Sequence, residues 1–464
     1  MSDLVAVIEK DQIILRLLDR LEALDRLILE LKEEVRDLKA RLLKYENPKD
    51  SNNSSIPPSQ DRFRKTQSSR KPSSKKVGGQ IGHKGSRLKM VELPDKVVLH
   101  DIKTCACCGE KLTATGEKTS RQIVDLPEIK MMVTEHITVS RTCTSCGVEN
   151  RSKFPEALVQ EAQYGDRIKA LCVYLQHYQM LPFERCAEFI EDLVGQRISQ
   201  SSLANFQRSA YTKLQGYEQQ IIQLLLRSEI NHADETGVKL YGKNTWMHVL
   251  SNQTMTFFGH HLKRGKEAID FFNIIPRYKG TLIHDRFSSY FSYNFQHGLC
   301  NAHILRELKY INEAFDATWS EKMSKLLIKA HEQKKKKGHC SKKYYDTILE
   351  EYQELINPII DNYNDKFKKT DEQRLAFGLK KHKDLFLKFI KHRDVPFDNN
   401  LAERDLRMIK VKQKISGTFR STEHAQYFAR IRGYISTVKK NHQNVLHSLA
   451  TAFQNAPFIP VLGE

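Results

Sequence analysis

Three acidic residues far apart in the chain, Asp234, Asp285 and Glu403, carry the chemistry for which this sequence is best equipped. Asp234 sits in His232-Ala-Asp-Glu-Thr-Gly237, Asp285 in His284-Asp-Arg-Phe-Ser-Ser-Tyr290, and Glu403 in Asp398-Asn-Asn-Leu-Ala-Glu-Arg-Asp-Leu-Arg407-Met-Ile-Lys410. Carboxylates held close together repel and raise one another's pKa, so such a set is costly unless a cation neutralises it. Mg²⁺ or Mn²⁺, which take oxygen ligands, are the expected cofactors. Two such ions about 3.5 to 4 Å apart activate an attacking oxygen and stabilise a leaving one, so phosphodiester chemistry needs no protein nucleophile. Glu403, Arg407 and Lys410 recur at helical spacing, which sets one acid for a metal beside two cations for a phosphodiester. Glu235 and Asp405 are the nearest rival carboxylates.

A second set of candidate ligands is built from cysteine. Cys105-Ala-Cys-Cys108-Gly109 and Cys143-Thr-Ser-Cys146-Gly147 are two CxxC knuckles, each with a glycine where the backbone must turn around a tetrahedral metal. Cys105, Cys108, Cys143 and Cys146 are the expected Zn²⁺ ligands, and Cys107 a bystander. With few core residues between the knuckles, a structural Zn²⁺ worth roughly 10 kcal/mol decides whether such a module folds. The alternative is reduced cysteines without metal. Cys172, Cys186, Cys300 and Cys340 read as packing residues. Cys300 and His303 alone are too few to hold a second metal.

The acids need a scaffold that brings them together. After Ser228 the hydrophobic period changes from helical to alternating, which predicts strands over 229–234, 245–251 and 255–262, a helix over 266–275 and a fourth strand over 281–285. A three-stranded meander followed by a helix crossing to a strand beside the first is the start of an RNase H-like α/β fold. Asp234 and Asp285 would then end neighbouring strands. The catalytic domain is drawn as 228–315 with 396–440, interrupted by a Lys-rich helical insertion over 316–395 with Lys334 to Lys337 in a loop. Residues 441–464 are drawn as a C-terminal tail.

Upstream, residues 4–45 repeat apolar side chains every seven, with Val7, Ile14, Leu21, Ile28, Val35 and Leu42 at one seam position and Leu17, Leu24, Leu31, Leu38 and Tyr45 at the other. Mostly β-branched residues at the first and Leu at the second favour a parallel two-stranded coiled coil over 1–46, hence a homodimer. The alternative is an amphipathic helix folded back on its own chain. Residues 47–94 read as a basic disordered linker, either a phosphate-contacting arm or a solvated tether. The zinc ribbon, expected to be β-rich, spans 95–155. Residues 160–227 read as helices over 167–179 and 182–194 and a third from Ser201, the order of a helix-turn-helix whose last helix would turn Gln200, Asn205, Gln207 and Arg208 toward DNA. Ordinary three-helix packing gives the same pattern.

Lys plus Arg outnumber Asp plus Glu by 75 to 56, a formal charge of +19 that favours a polyanionic partner over an acidic small molecule. Nine cysteines, an odd number with five between Cys105 and Cys146, suit a reducing compartment better than a disulfide framework. No stretch of eighteen charge-free apolar residues exists, and the N-terminus has a charged heptad in place of a secretory signal. The expectation is a soluble cytoplasmic protein, nucleoid-associated when bound to DNA, with no membrane partner. The class is α+β and multidomain.

Taken together these motifs resemble the transposases of the insertion sequence 66 family over nearly the whole chain. The matching elements are Asn53-Ser-Ser-Ile-Pro-Pro-Ser59, Gly79-Gln-Ile-Gly-His-Lys-Gly85, the paired knuckles, His232 to Gly237, Cys300-Asn-Ala-His303 with Arg306, and Asn399 to Arg404. The resemblance implies a DDE-type transposase that binds the ends of its element and target DNA and cleaves and transfers strands. It assigns Asp234, Asp285 and Glu403 to the metal-binding positions and Lys410 to the basic position beyond the Glu. Arg404, Arg407, Arg306, His303 and Arg208 complete the expected DNA contacts, with a core contact as the alternative for His303 and Arg306. Accessory proteins of the same element are possible partners. A DNA-binding regulator without chemistry and a structure-selective nuclease are the alternatives. Two positions depart from the pattern: Arg286 follows the second Asp where a small residue is common, and Asn301 stands where an aromatic is common.

Overall fold

The computed structural model describes residues 2–46, 82–85, 87–113, 116–365 and 368–461. Residues 47–81 of the expected basic linker, with the Asn53 to Ser59 motif, lie outside the described residues. Two compact units are distinguished, one spanning Lys65–Glu135 and the other Met1–Arg64 with His136–Glu464.

In the larger unit, α1 (Ser2–Glu46) is an uninterrupted 45-residue helix. Its sequence contains neither Pro nor Gly, the two residues that most disfavour a helix interior. Ile14, Leu17, Leu21, Leu24, Ile28, Leu31, Val35, Leu38 and Leu42 form an apolar stripe that is 44–56% exposed among the described residues.

The smaller unit holds the first knuckle. Cys105 N–H bonds Glu110 O at 2.9 Å and Gly109 N–H bonds Cys105 O at 3.0 Å, with Gly109 at φ +76°. The second knuckle, in the larger unit, has the same scheme. Cys143 N–H bonds Val148 O at 2.8 Å, Gly147 N–H bonds Cys143 O at 2.9 Å, and Gly147 has φ +72°. A short antiparallel ribbon, β1 (Ser140–Thr142) with β2 (Glu149–Arg151), carries this second turn. The alternation over Met132 to Val139 makes no strand of its own. Met132, Val133 and Ile137 are 90, 90 and 75% exposed, so no second layer rewards pairing there.

Four helices follow: α2 (Asp166–His177), α3 (Phe183–Val194), α4 (Gln200–Lys213) and α5 (Gln215–Arg227). Gly195, at φ +73°, closes α3, and Ser199 caps α4 by accepting from Ser202 N–H at 3.1 Å. The reading face expected of α4 is partly wrong. Gln207 is buried and donates to Gln176 Oε1 at 2.9 Å, and Gln200 donates to Glu184 Oε2 at 2.6 Å. Asn205 and Arg208 remain exposed.

A five-stranded sheet in the order β5-β4-β3-β6-β7 forms the centre, from β3 (Ile230–Leu240), β4 (Lys243–Ser251), β5 (Thr256–His261), β6 (Thr281–His284) and β7 (Gln296–Leu299). The first three strands are antiparallel, and β6 and β7 run parallel to β3. The strand beside the first is thus the fourth, as expected, while β7 was not read from the sequence. β3 is also longer than expected. It runs on to a two-residue turn at Tyr241 and Gly242, both with positive φ, the geometry that fits the twist of a tight hairpin. Asp234 therefore lies within its strand and does not end it.

Helix α6 (Lys266–Phe272) packs one face of the sheet, so closely that a Cβ on Gly259 would come within 2.3 Å of the Phe272 ring. After β7 come α7 (Asn301–Phe315) and a run of five helices: α8 (Thr318–Lys337), α9 (Lys342–Asp361), α10 (Asp371–Lys381), α11 (Lys383–Phe386) and α12 (Lys388–Lys391). Their core joins Leu308, Met323, Leu327, Ile348, Tyr352 and Leu379. Lys334 to Lys337 form the last turn of α8, not a loop. There the helix dipole favours cations, and Lys334 Nζ donates to His392 O at 3.0 Å.

The chain then returns through α13 (Asn400–Ser416) and α14 (Thr422–Lys440), which cover the other face of the sheet. Val238, Met247, Val249 and Phe258 from the strands interdigitate with Ala402, Leu406, Ile409 and Phe428 from these helices. Each fully buried Val, Leu, Ile, Met or Phe side chain contributes about 1.5–3 kcal/mol. The last segment, drawn as a tail, contains α15 (Val445–Phe453). It is capped by Asn444 and buries Val445, Leu449, Ala452 and Phe453, packing against α2 and α4. Among the described residues no helix is long and apolar enough to cross a membrane.

Candidate active site

The parallel pairing of β3 with β6 sets His232 opposite Ile283. Extended two residues, the second of them past the end of β6, that register would set Asp234 opposite Asp285 on the same face, because side chains at matched positions of neighbouring strands project together. This is the face that α13 covers, and Glu403 lies in the first turn of α13.

One amide fixes that helix start. Asn399, 3% exposed, donates through Nδ2 to Ala233 O at 2.8 Å and meets His232 Nδ1 through Oδ1 at 2.9 Å. Its backbone N–H reaches the Cys300 sulfur at 3.2 Å. Asn301, buried at the start of α7, donates to Phe386 O and Phe397 O at 3.0 and 3.1 Å. This supplies a polar role for the residue that replaces the family's aromatic. The other departure is matched too, since Arg286 is salt-bridged to Glu307 on α7.

The three acids sit in different fields. Asp234 is half-buried as a residue, but its carboxyl is withdrawn from water; that burial, and then the charges of Glu235 next to it in the chain, of Asp285 and of Glu403, push it well above the usual carboxylate range. Glu403 is held below that range, first by its hydrogen bond with His303 Nε2 at 3.3 Å and then by Arg306 and Arg407. His303 and Arg306, expected on DNA, thus face Glu403, with Arg306 NH2 at 4.0 Å. Lys410 is half-buried and donates to Gly237 O at 2.8 Å, while Arg404 and Arg407 are exposed.

Both rival carboxylates have other partners. Glu235, next to Asp234 in the strand, projects to the opposite face, where it accepts from Arg264 Nε at 2.8 Å and Tyr290 OH at 2.7 Å. Asp405 pairs with Lys440 Nζ at 2.8 Å, both side chains being mostly buried.

Burial first, then the charges of Glu235, Asp285 and Glu403, raise Asp234, a field that a hard divalent cation would relieve. Among the described residues, the group of three whose ligand atoms lie within 4.8 Å of one another is a different one, the Cys300 sulfur, the His303 ring and the Glu403 carboxylate. The sequence pointed to two of these three and missed the contribution of Glu403. Burial pushes the Cys300 thiol up to about 12, so it stays protonated and serves as the acceptor for Asn399. In the knuckles the balance is reversed. Backbone N–H groups of Cys108 and Cys107 lower the Cys105 thiol, and those of Cys146 and Ser145 lower Cys143, which favours the thiolate that binds metal. Sequence reasoning missed Arg264 and the clamp made by Asn399. The Asn399 motif signalled the second, and nothing local signalled the first.

None of the curated proteins matches the chain. Residues 103–147 match the zinc-finger binding domain of transposase IS66, a stretch containing all four knuckle cysteines. Residues 161–427 match the transposase IS66 family, and since that is more than half of the chain's 464 residues, the chain belongs to this family of transposases.

Proposed function

We propose that this transposase binds the ends of its element and carries out divalent-metal-dependent cleavage and transfer of DNA strands at Asp234, Asp285 and Glu403. The observation that carries the reading is the shared register of β3 and β6, with Asn399 pinning the helix of Glu403 beside them. The strand order and the meander–helix–parallel strand sequence support an RNase H-like catalytic domain over 228–315 and 396–440. The helices over 316–395 would be its insertion.

A Mg²⁺ or Mn²⁺ ion held by the three acids would activate the attacking oxygen and stabilise the leaving one. The protein's own groups prepare that site. His303 and Arg306 keep Glu403 ionised and oriented, Asn399 fixes where α13 begins, and Lys410 braces α13 against β3 through Gly237. Arg404 and Arg407, exposed on the first two turns of α13, are the cations left for a phosphodiester, with Arg208 on α4 as a more distant contact. Cys105, Cys108, Cys143 and Cys146 would hold a structural Zn²⁺.

The exposed stripe of α1 supports a coiled-coil homodimer, which would bring two active sites to two DNA ends. The net charge supports DNA as partner and a cytoplasmic, nucleoid-associated location. Accessory proteins of the element could join the complex.

The test is to incubate purified protein with DNA carrying the element's ends in Mg²⁺ or Mn²⁺, comparing wild type with Asp285→Ala. Joined product formed by wild type and absent from the variant supports the proposal. Nicking without joining would make the protein a structure-selective nuclease, and no metal-dependent chemistry would make it a DNA-binding regulator.

A further inference from the structure

Beside the acids, on the face of the sheet that α13 does not cover, lies a second arrangement. The segment after β5 sends Arg264 toward the end of β6. Its Nε donates to Glu235 Oε1 at 2.8 Å, and its guanidinium carbon stands 4.2 Å from the Phe287 ring centroid and 5.1 Å from that of Trp246. Tyr290 OH donates to the other Glu235 oxygen at 2.7 Å. Both oxygens of a carboxylate whose side chain is only 1% exposed are therefore engaged, and one of them aims a single guanidinium.

A buried ion pair is a poor device for stability, because desolvation offsets the attraction. Here the pair is also one-sided: the Arg264 side chain keeps 38% of its exposure, and Trp246 and Phe287 are themselves only half-buried. Its NH2 stops 4.0 Å from Asp285 Oδ2, beyond hydrogen-bond range. The network holds a planar cation between two aromatic rings at the rim of the acidic site. A guanidinium fork matches phosphate oxygens, and partly open aromatic rings accept the faces of unstacked bases.

We propose that Trp246, Arg264 and Phe287 form a nucleotide subsite, Arg264 taking a backbone phosphate next to the reacting one and the two rings taking an adjoining unpaired base. Glu235 and Tyr290 are its positioning residues. The subsite rests on the transposase reading for the nature of its ligand, and it gives the buried acid beside Asp234 a purpose other than metal binding.

The test uses the full chain and an eight-nucleotide thymidine single strand, in buffer without added Mg²⁺ or Mn²⁺. The chain has two tryptophans, and Trp319 is 8% exposed and bonded to Glu372, so quenching by the oligonucleotide reports Trp246. Emission is expected to fall on binding in wild type and not in Trp246→Phe. Arg264→Gln should weaken binding roughly tenfold, the loss expected for a charged hydrogen bond, and Arg264→Lys, which keeps charge without the fork, by less. Quenching that survives Trp246→Phe overturns the subsite. So does Arg264→Gln binding like wild type, whether or not its thermal midpoint falls. This readout needs no chemistry. Quenching here combined with no cleavage of end-carrying DNA in Mg²⁺ or Mn²⁺ counts against the proposed function alone, and such cleavage combined with no Trp246 quenching here counts against the subsite alone.

Discussion

Asn399→Ala removes the amide that ties the start of α13 to β3. Two buried groups lose their partners, Ala233 O at 2.8 Å and His232 Nδ1 at 2.9 Å. Leaving a buried polar group unsatisfied costs about 1–3 kcal/mol, so the pair predicts a loss of about 2–6 kcal/mol. The second effect is positional. Glu403 lies four residues further on, and a displacement of about 1 Å at a reacting centre lowers rate on the order of 100-fold. Urea unfolding followed by dichroism and tryptophan fluorescence reads the first effect, and Mn²⁺ affinity by calorimetry, at a urea-free temperature where the variant is folded, reads the second. A variant that loses less than about 0.5 kcal/mol and binds Mn²⁺ like wild type refutes the clamp.

Other expectations follow from the same geometry. Asp405→Ala removes the carboxylate on the mostly buried Lys440 ammonium, which keeps Asn252 O and Met255 O as acceptors, and should cost about 1.5–3 kcal/mol, the worth of a charged hydrogen bond, in urea unfolding while leaving Mn²⁺ affinity intact; lost Mn²⁺ binding would return Asp405 to the site. Metal analysis of the purified chain should find one Zn²⁺ per protomer in wild type and none in Cys108→Ser with Cys146→Ser, and an equal zinc content in both would exclude the knuckles as ligands. Burial lowers His248 and His260 to about 4. The unfolded chain takes up protons below pH 6.5 and the folded one not until about 4, so stability held above pH 6.5 is lost as pH falls through that window, by about 1–3 kcal/mol for each ring. Urea midpoints at pH 7 and 5 check this, and His260→Gln should flatten the dependence. Leu24→Lys with Leu31→Lys should turn a dimer into a monomer in sedimentation, and an unchanged mass would show that α1 does not hold the protomers together.

Four strands of the sheet and the placing of the fourth beside the first could be read from the sequence, from short apolar runs rich in β-branched and aromatic residues as much as from alternation, because β5 and β6 are buried on both faces. The extent of β3 could not, since its hairpin turns on Tyr241-Gly242 and not on an Asn-Gly or Asp-Gly signal. Glu235 and Asp405 rivalled the three proposed metal ligands in sequence; only the pleat and the partners Arg264, Tyr290 and Lys440 separate them. Amphipathic spacing located α4 but not its neighbours, so Gln207 was assigned to DNA although α2 supplies its partner, Gln176. The lysines ending α8 resembled a solvated run because their helical context depends on a core made with distant helices. Arg264 is 29 residues from Glu235, and a pair made across strands leaves no periodic trace.

The central claim is that Asp234, Asp285 and Glu403 form one divalent-cation site. Mn²⁺ titration of the folded full chain, followed by calorimetry and by the paramagnetic signal of free Mn²⁺, tests it most directly. Binding should be lost or weakened at least tenfold in Asp234→Asn, Asp285→Asn and Glu403→Gln, and kept in Glu235→Gln and Asp405→Asn. Wild-type affinity in any of the first three, or its loss in Glu235→Gln alone, would contradict the account.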